Sequence, residues 1–182
     1  MLTDKSPEKA AASGAPAART YELHDAERIT IRDNSPELLD AEVVWAPGAV
    51  KPFVHAHPQQ DEHFELHAGQ MTVRIDDGER TLRAGDTLDV PRGTMHAMWN
   101  SGDEPARATW QVRPALRTEE LWRAIDEARR RPGATGAHGM LTPSAAAPIL
   151  LAHRAEMRLA IPAPAQGVAL RALSLLGRVR RR

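Results

Sequence analysis

Apolar and polar residues alternate in short runs between residues 21 and about 113, and turns rich in Gly, Pro and Asp separate the runs. Alternation with a period of two over four to eight residues is typical of half-buried strands. The pattern therefore predicts an antiparallel sandwich or barrel of short strands. The predicted strands are residues 28–32, 41–46, 53–57, 62–68, 71–76, 80–83, 87–90, 96–99 and 107–112.

Gly69 and Gln70 are predicted to form a two-residue turn between two of these strands. Such a turn places apolar pairs on one face of a hairpin and polar pairs on the other, so both faces support this register. The apolar pairs are Ala68 with Met71, Leu66 with Val73 and Phe64 with Ile75, and the polar pairs are His67 with Thr72, Glu65 with Arg74 and His63 with Asp76. Asp77-Gly78 predicts a second hairpin, which extends the sheet into the strand that ends near Arg83.

From Thr118 onward the period of the apolar residues becomes helical. Thr118 is suited to cap the first helix, and Pro132-Gly133 is suited to end it. The buried stripe of this helix is predicted to be Leu121, Trp122, Ile125 and Ala128. Two more helices are predicted over residues 143–159 and 166–178, with a proline-rich break between them.

Composition distinguishes the N-terminal end from the rest of the chain. Residues 1–19 contain six Ala, two Pro and one Gly and lack an aromatic residue, so they are predicted to form a mobile tail. We therefore expect a tail over residues 1–19, an all-β barrel over residues 20–115 and a helical extension over residues 116–182.

The 24 basic and 24 acidic residues balance, which gives no electrostatic case for a dedicated nucleic-acid binder. Residues 117–182 carry twelve basic and five acidic side chains, and their arginine-rich end is interpreted as a solvated helix terminus. No segment approaches the roughly 20 apolar residues of a membrane span, and residues 1–19 lack the apolar stretch of a signal peptide. We expect a cytoplasmic protein without stable membrane insertion.

The chain has no cysteine, which excludes disulfides, thiolate zinc sites and a cysteine nucleophile. Any metal must therefore be held by nitrogen and oxygen ligands. Five of the eight histidines lie between His55 and His96, inside the predicted β region. The histidines are thus the first candidates for chemistry.

His55 and His57 are two residues apart on a predicted strand, so their side chains project from the same face. Glu62 shares the parity of the apolar Phe64, and a carboxylate on an inward face is costly unless it is paired or binds a metal. His96 would be brought in from another strand. Three imidazoles and one carboxylate suit Mn, Fe, Co, Ni, Cu or Zn better than Ca or Mg.

Two spaced motifs contain these candidate ligands. The first motif is Gly48, His55, His57, Glu62 and Gly69, and the second is Gly85, Pro91, Gly93, His96 and Asn100. In these motifs the chain resembles the cupins. The second motif has the cupin spacing throughout, whereas six residues instead of the usual five separate Gly48 from His55.

The resemblance covers about residues 41–113 and implies a small double-sheet jelly-roll barrel with a metal inside its open end. It implies four ligands for one divalent transition metal: His55, His57, Glu62 and His96. Four protein ligands on a six-coordinate ion leave two adjacent positions open for a substrate, or for a substrate and dioxygen.

The resemblance implies no single reaction, because cupins serve many functions. The leading interpretation is a metal-dependent enzyme for a small organic substrate with an aromatic, enol or carboxylate group, either a dioxygenase or an isomerase or cyclase. Glu62 would act there as ligand and proton acceptor. The alternative is a binding module that senses or sequesters a small ligand without turnover. A purely structural role ranks last, because it leaves the inward Glu62 unexplained.

A substrate pocket beside the metal is predicted from five apolar residues. They are Phe53, Phe64, Met71, Val73 and Met98. His63 and His67 have the opposite parity from Glu62 and are expected to face solvent. We also expect a homodimer, because a short barrel exposes sheet edges that a second copy can cover.

Overall fold

The structure is a computed structural model that describes residues 19–48, 50–76, 78–160 and 163–179. The strands in these residues are β1 (Thr20–His24), β2 (Glu27–Asn34), β3 (Leu39–Trp45), β4 (His55–Ala56), β5 (Asp61–Ala68), β6 (Gln70–Ile75), β7 (Gly78–Arg83), β8 (Thr87–Val90), β9 (His96–Asn100), β10 (Ala106–Arg113) and β11 (Arg158–Leu159). The helices are α1 (Thr118–Arg129), α2 (Pro143–Ala152) and α3 (Ala163–Val179), and a short 3-10 helix covers Ala137–Gly139.

The strands form two antiparallel sheets. One sheet has six strands in the order β1-β2-β3-β10-β5-β8, and the other has five in the order β11-β4-β9-β6-β7. Apolar side chains from both sheets are buried in a single core, as the alternation in the sequence requires. They include Leu39, Val43, Phe64, Leu66, Met71, Val73, Leu88 and Val112. The predicted jelly-roll barrel followed by three helices is confirmed.

Each of the nine predicted strands is present, with ends that differ by at most two residues from those predicted. The pattern did not predict β1 or β11. The second predicted helix is too long, because α2 ends at Ala152 and residues 158–159 form β11 instead. Since β11 pairs with the distant strand β4, the local sequence carries little signal for it.

The predicted hairpin at Gly69 is wrong, although the predicted faces are right. Strand β5 pairs with β10 and β8 in the six-stranded sheet, whereas β6 pairs with β7 and β9 in the other sheet. Gly69 has φ +76°, and a Cβ on it would lie 2.6 Å from the Cα of Ala106. The chain therefore passes between the two sheets at Gly69, where only glycine fits.

The hairpin between β6 and β7 begins one residue earlier than predicted. Ile75 pairs with Gly78 and Arg74 pairs with Glu79, so Gly78 already belongs to a strand. Asp77, the other residue of the predicted turn, lies outside the described residues.

Helix α1 begins at the predicted residue, but Thr118 is not its cap. The residue before the helix is Arg117, and the Thr118 hydroxyl accepts a hydrogen bond of 2.7 Å from Gln60 Nε2. The fully buried Gln60 also donates to the carbonyl oxygens of Pro114 and Ala115 at 2.9 Å each. The hydroxyl of Thr118 thus ties the helix to the barrel. Of the predicted stripe, Leu121, Trp122 and Ala128 are buried and Ile125 is partly buried.

The helical extension is joined to the barrel at several points. Arg19, which the composition assigned to the tail, donates hydrogen bonds of 2.9 and 2.7 Å to Glu119 of α1. Tyr21 donates a third hydrogen bond to the same carboxylate. Helices α2 and α3 form a second apolar cluster around Ala147, Leu150 and Leu170.

Residues 1–18 of the mobile tail predicted over residues 1–19 lie outside the described residues, as do residues 180–182 of the basic end. Among the helices that the structure describes, none has the length and apolar character needed to cross a membrane.

Candidate metal centre

Three strands bring the candidate ligands together inside the barrel. Strand β4 carries His55 and leads directly into His57, β5 carries Glu62, and β9 carries His96. His55 and His96 are cross-strand partners. One ring nitrogen of each histidine lies within 4.8 Å of those of the other two. The pairing of short strands therefore converts distant sequence positions into one cluster.

The turn before β9 connects the two sequence motifs. Gly93 has φ +82°, a conformation that favours glycine, and its N–H donates a 2.9 Å hydrogen bond to the carbonyl oxygen of His57. Asn100, the last residue of the second motif, donates to the carbonyl oxygens of Trp45 and Glu104 and accepts from Gly102 N–H. Asn100 thus closes the turn that follows β9.

Each of the three imidazoles is held through Nδ1 by a backbone carbonyl. His55 bonds to Phe53 O at 3.0 Å, His96 to Thr94 O at 3.0 Å, and His57 to Glu156 O at 2.5 Å. Because a carbonyl only accepts, Nδ1 of each neutral ring carries the proton and Nε2 keeps its lone pair. This arrangement is typical of histidines that bind a metal through Nε2.

Glu62 lies against two of the imidazoles. Its Oε1 is 3.3 Å from His57 Nε2 and its Oε2 is 3.1 Å from His96 Nε2. Trp110 Nε1 donates a 2.9 Å hydrogen bond to Oε1. The side chains of Glu62, His57 and His96 are at most 5% exposed.

Two buried atoms of this cluster, His57 Nε2 and Glu62 Oε2, have no hydrogen-bond partner among the residues that the structure describes. Unpaired polar atoms are costly in a protein interior, and lone pairs that face one another repel unless a proton or a metal cation lies between them. A metal ion supplies the missing partner for both atoms. The donor set of three imidazoles and one carboxylate therefore fits a transition metal.

The electrostatics of the cluster favour neutral imidazoles beside an ionised carboxylate. Burial and the neighbouring His57 and His96 lower the pKa of His55 to about 3. Burial also lowers the pKa of His57. Burial opposes ionisation of Glu62, but the nearby histidines outweigh it and lower the pKa of its carboxyl to about 2.

His96 differs from the other two histidines. Burial disfavours its protonation, but the adjacent Glu62 carboxylate and the carbonyl of Thr94 outweigh burial and raise the pKa of His96. The carboxylate thus favours a positive charge beside it. A bound cation would satisfy the same preference.

The five predicted pocket residues do not share one environment. Phe64, Met71 and Val73 are buried in the main core, and the Phe64 ring stacks on Trp110 with centroids 5.3 Å apart. Met98 is partly buried against that core, whereas Phe53 is 68% exposed. The assignment of these residues to a substrate pocket stays a prediction.

Among the residues that sequence reasoning missed, two that contact the candidate ligands lie outside both motifs. Trp110 on β10 donates to Glu62, and Glu156, after α2, accepts from His57 through its backbone carbonyl. The inward parity of Trp110 with its apolar neighbours on β10 could have indicated the first contact. A backbone carbonyl leaves no trace in the side-chain pattern, so the second could not have been found.

The structure has a double-sheet jelly roll with three imidazoles and a carboxylate in its interior. These features place it in the class of small β-barrel proteins with a candidate metal centre. The comparison with known families agrees, because the profile of the cupin domain matches residues 41–112. Residues 41–112 of this chain therefore form a cupin domain.

Two curated relatives come from Streptomyces. The chain is 34% identical over 80 residues to the tetracenomycin polyketide synthase protein TcmJ of Streptomyces glaucescens, which covers 44% of this chain and 54% of TcmJ. It is 35% identical over 67 residues to protein SchB of Streptomyces halstedii, which covers 37% of this chain and 49% of SchB. The chain thus spans about half the length of these relatives.

A solved structure supports the fold. The crystal structure of an RmlC-like cupin from Shewanella frigidimarina aligns with a TM-score of 0.50 and 19% identity, over 60% of this chain and 96% of that one. At this identity the likeness shows the shared fold alone.

Proposed function

We propose that this protein is a metal-dependent enzyme that acts on a small organic substrate with an enol, phenol or carboxylate group. The observation that carries the proposal is the unpaired state of His57 Nε2 and Glu62 Oε2 in a buried cluster whose histidines are all fixed through Nδ1. The residues that would hold the metal are His55, His57, Glu62 and His96. When bound, a divalent transition metal polarises a substrate oxygen or, if it is redox-active, supports reaction with dioxygen.

Glu62 fits the part of an anionic ligand. The nearby histidines lower the pKa of its carboxyl, so it is ionised at neutral pH. The hydrogen bond from Trp110 further stabilises the charged form. We therefore propose that Glu62 is the anionic ligand and that it also accepts a proton from the substrate.

Access to the cluster is proposed to lie on the side of His55. His55 is partly exposed, whereas His57, Glu62 and His96 are buried. The exposed Phe53 lies two residues before His55 and offers an aromatic surface next to this opening. A planar, partly apolar substrate is the kind that such a surface would contact.

The relatives narrow the proposed substrate class. One relative is named as a polyketide synthase protein, and polyketides are rich in phenol and enol oxygens that bind metals. We therefore place enolised carbonyl compounds and phenols first among the substrates, with oxygenation and with isomerisation or cyclisation as the two reaction types.

The second candidate function is a small-ligand or metal-binding module without turnover. The burial of three of the four candidate ligands favours it, because a shielded ion has little room for a substrate atom. Catalysis predicts that a product forms from the substrate, whereas binding without turnover predicts that none forms.

The test is to load the protein separately with Fe(II), Mn(II), Ni(II) and Zn(II) and incubate it with pooled phenols, enolised diketones and organic acids. Oxygen uptake with Fe(II) or Mn(II) would support an oxygenase, and an isobaric or dehydrated product with Zn(II) or Ni(II) would support an isomerase or cyclase. H57A should abolish either activity, whereas H63A, a matched change on the outer face of the barrel, should retain it. Tight binding without any product would support the binding module and contradict the enzyme.

The assembly that we propose is a homodimer. Strand β7 lies at the edge of the five-stranded sheet and is mostly exposed, so its unpaired backbone groups are available to a second copy. Sedimentation at micromolar concentration should give twice the chain mass of 20.0 kDa. A species of one chain mass would contradict the dimer.

A further inference from the structure

The hydrogen bond that holds His57 differs in origin from those that hold the other two histidines. His55 and His96 each use the carbonyl of the residue two positions earlier in the chain. His57 instead uses the carbonyl of Glu156, which is 99 residues away in the helical extension. The barrel alone therefore orients two of its imidazoles and leaves the third to the extension.

The Glu156 backbone is itself fixed on both sides. Glu156 and Met157 each donate their N–H to the carbonyl oxygen of His153, which forms a turn at the end of α2. One residue after Met157, β11 pairs with β4, where Arg158 faces Ala56 and Leu159 faces His55. The carbonyl that holds His57 thus lies between a turn and a strand pair.

The Glu156 side chain anchors the same segment to α1. It is 4% exposed, and its Oε1 accepts a 3.2 Å hydrogen bond from the backbone N–H of Arg117, the residue that precedes α1. An N–H at the start of a helix is otherwise unpaired, and a carboxylate is favoured there. The side chain thus connects the start of α1 to the carbonyl that orients His57.

We propose that Glu156 is a positioning residue of the metal centre: its buried carboxylate holds the segment whose carbonyl fixes the ring and tautomer of His57. The inference rests on the proposed metal site, and it makes the helical extension responsible for the orientation of one ligand. A fixed Nδ1–H bond sets the direction of the Nε2 lone pair and increases its strength as a donor. Loss of the Glu156 anchor should therefore weaken metal binding without removing a ligand.

The test compares three full-length variants with the wild-type protein. E156A removes the acceptor for the Arg117 N–H, whereas E156Q keeps an amide oxygen that can still accept it. E120A is the matched control, because Glu120 is an exposed carboxylate that pairs with the side chain of the same Arg117. The measurements are Co(II) and Zn(II) affinity by competition with a chelator, the visible spectrum of the bound Co(II), and the thermal midpoint.

E156A should bind both metals about 10- to 100-fold more weakly and give an altered Co(II) spectrum, the effect typical of a lost partner of a metal-bound histidine. E156Q and E120A should retain the affinity and the spectrum of the wild-type protein. An E156A protein with a lower midpoint but unchanged affinity and spectrum would reduce Glu156 to a purely structural role and overturn the inference.

If E156A does not fold, E156D decides the question, because it keeps the charge and shortens the reach by one methylene. Weaker binding with a shifted Co(II) spectrum would support the inference, and wild-type values would overturn it. Failure of the wild-type protein itself to bind Co(II) and Zn(II) would refute the metal site on which the inference rests. Metal binding of equal strength in the wild-type protein and E156A would instead refute only the inference about Glu156.

Discussion

Histidines lie beside oxygen atoms on both faces of β5, yet the surroundings of these contacts differ between the two faces. On the outer face, His63 Nδ1 lies 2.7 Å from Asp89 and His67 Nε2 lies 2.7 Å from the Thr109 hydroxyl. On the inner face, Glu62 lies 3.1 and 3.3 Å from His96 and His57. The outer contacts are the shorter ones, so proximity does not distinguish a candidate site from a surface pair.

The difference between the faces is the supply of other partners. His63 and His67 are partly exposed, so water can complete their hydrogen bonds. His57 Nε2 and Glu62 Oε2 are buried and unpaired. A histidine and a carboxylate thus indicate a metal site when burial removes the alternatives and backbone carbonyls fix the rings.

The largest expected effect comes from removal of residues 118–182, on which the inner face depends. The deletion removes Glu156, β11 and Trp122, whose ring lies 4.8 Å from that of Trp110. Loss of one buried Trp costs about 3–5 kcal/mol, while a whole domain is stable by about 5–15 kcal/mol. We expect no cooperative thermal transition in calorimetry.

Deletion of residues 1–18 is the control for this truncation and should leave the thermal midpoint unchanged. These residues precede the contacts of Arg19 and Tyr21 with Glu119, which remain in the shortened protein. Equal midpoints for the two truncations would contradict the division between barrel and extension.

The second effect is the loss of the metal from the inner face alone. H57A should reduce the metal content from about one ion per chain to nearly none, because three remaining ligands bind far more weakly than four. H63A should leave the content unchanged. Elemental analysis of the gently purified proteins checks both, and equal content in the two variants would remove the distinction between the faces.

A smaller effect is expected from W110F. The variant keeps an aromatic ring between Phe64 and Trp122 but loses the hydrogen bond to Glu62. Loss of such a partner of a ligand should weaken metal binding about 10-fold, measured by chelator competition. W122F keeps the donor and should bind metal as the wild type does, so a similar loss in both variants would point to packing instead.

The smallest effect is expected at the exposed pair of Asp61 and Arg92. Hydrogen bonds from Arg92 lower the pKa of the Asp61 carboxyl below its ordinary 3.8. Its contribution to stability is therefore present above pH 3.8 and is lost as the pH falls through the lowered pKa. D61N should lower the midpoint slightly at pH 7 and approach the wild type in acid, as thermal melts across pH would measure.

An unchanged metal content in D61N would show that Asp61, like His63, is not needed for metal binding. Loss of metal from D61N would show that the turn at Arg92 affects the neighbouring Glu62, and would make the boundary between the faces less sharp.

Most strands of the barrel could be predicted, because the alternation of apolar and polar residues that indicates a strand lies within a few neighbouring positions. The alternation around Phe64 and Leu66 assigns the inward face of β5 correctly, and with it the inward Glu62. Pairing is not local: the same alternation fits a hairpin across Gly69 as well as two strands in different sheets. The close approach of Gly69 to Ala106, which decides between them, involves a residue far along the chain.

The candidate ligands could be identified from spacing, but the groups that orient them could not. Thr118 shows the same limit, because its sequence context suits a helix cap while its hydroxyl accepts from Gln60 across the fold. The contact of Glu156 O with His57 involves only the backbone of one partner. Contacts of this kind depend on how α2 ends and β11 begins, which the helical period in that region obscures.

The pairing of β11 with β4 has a consequence for biosynthesis. A chain leaves the ribosome from its N-terminus at about 5–20 residues per second, so β4 emerges well before β11 does. His57 acquires its Glu156 partner only after a further 99 residues have been translated. The nascent barrel can therefore bury its apolar core before the third imidazole of the proposed metal site is oriented.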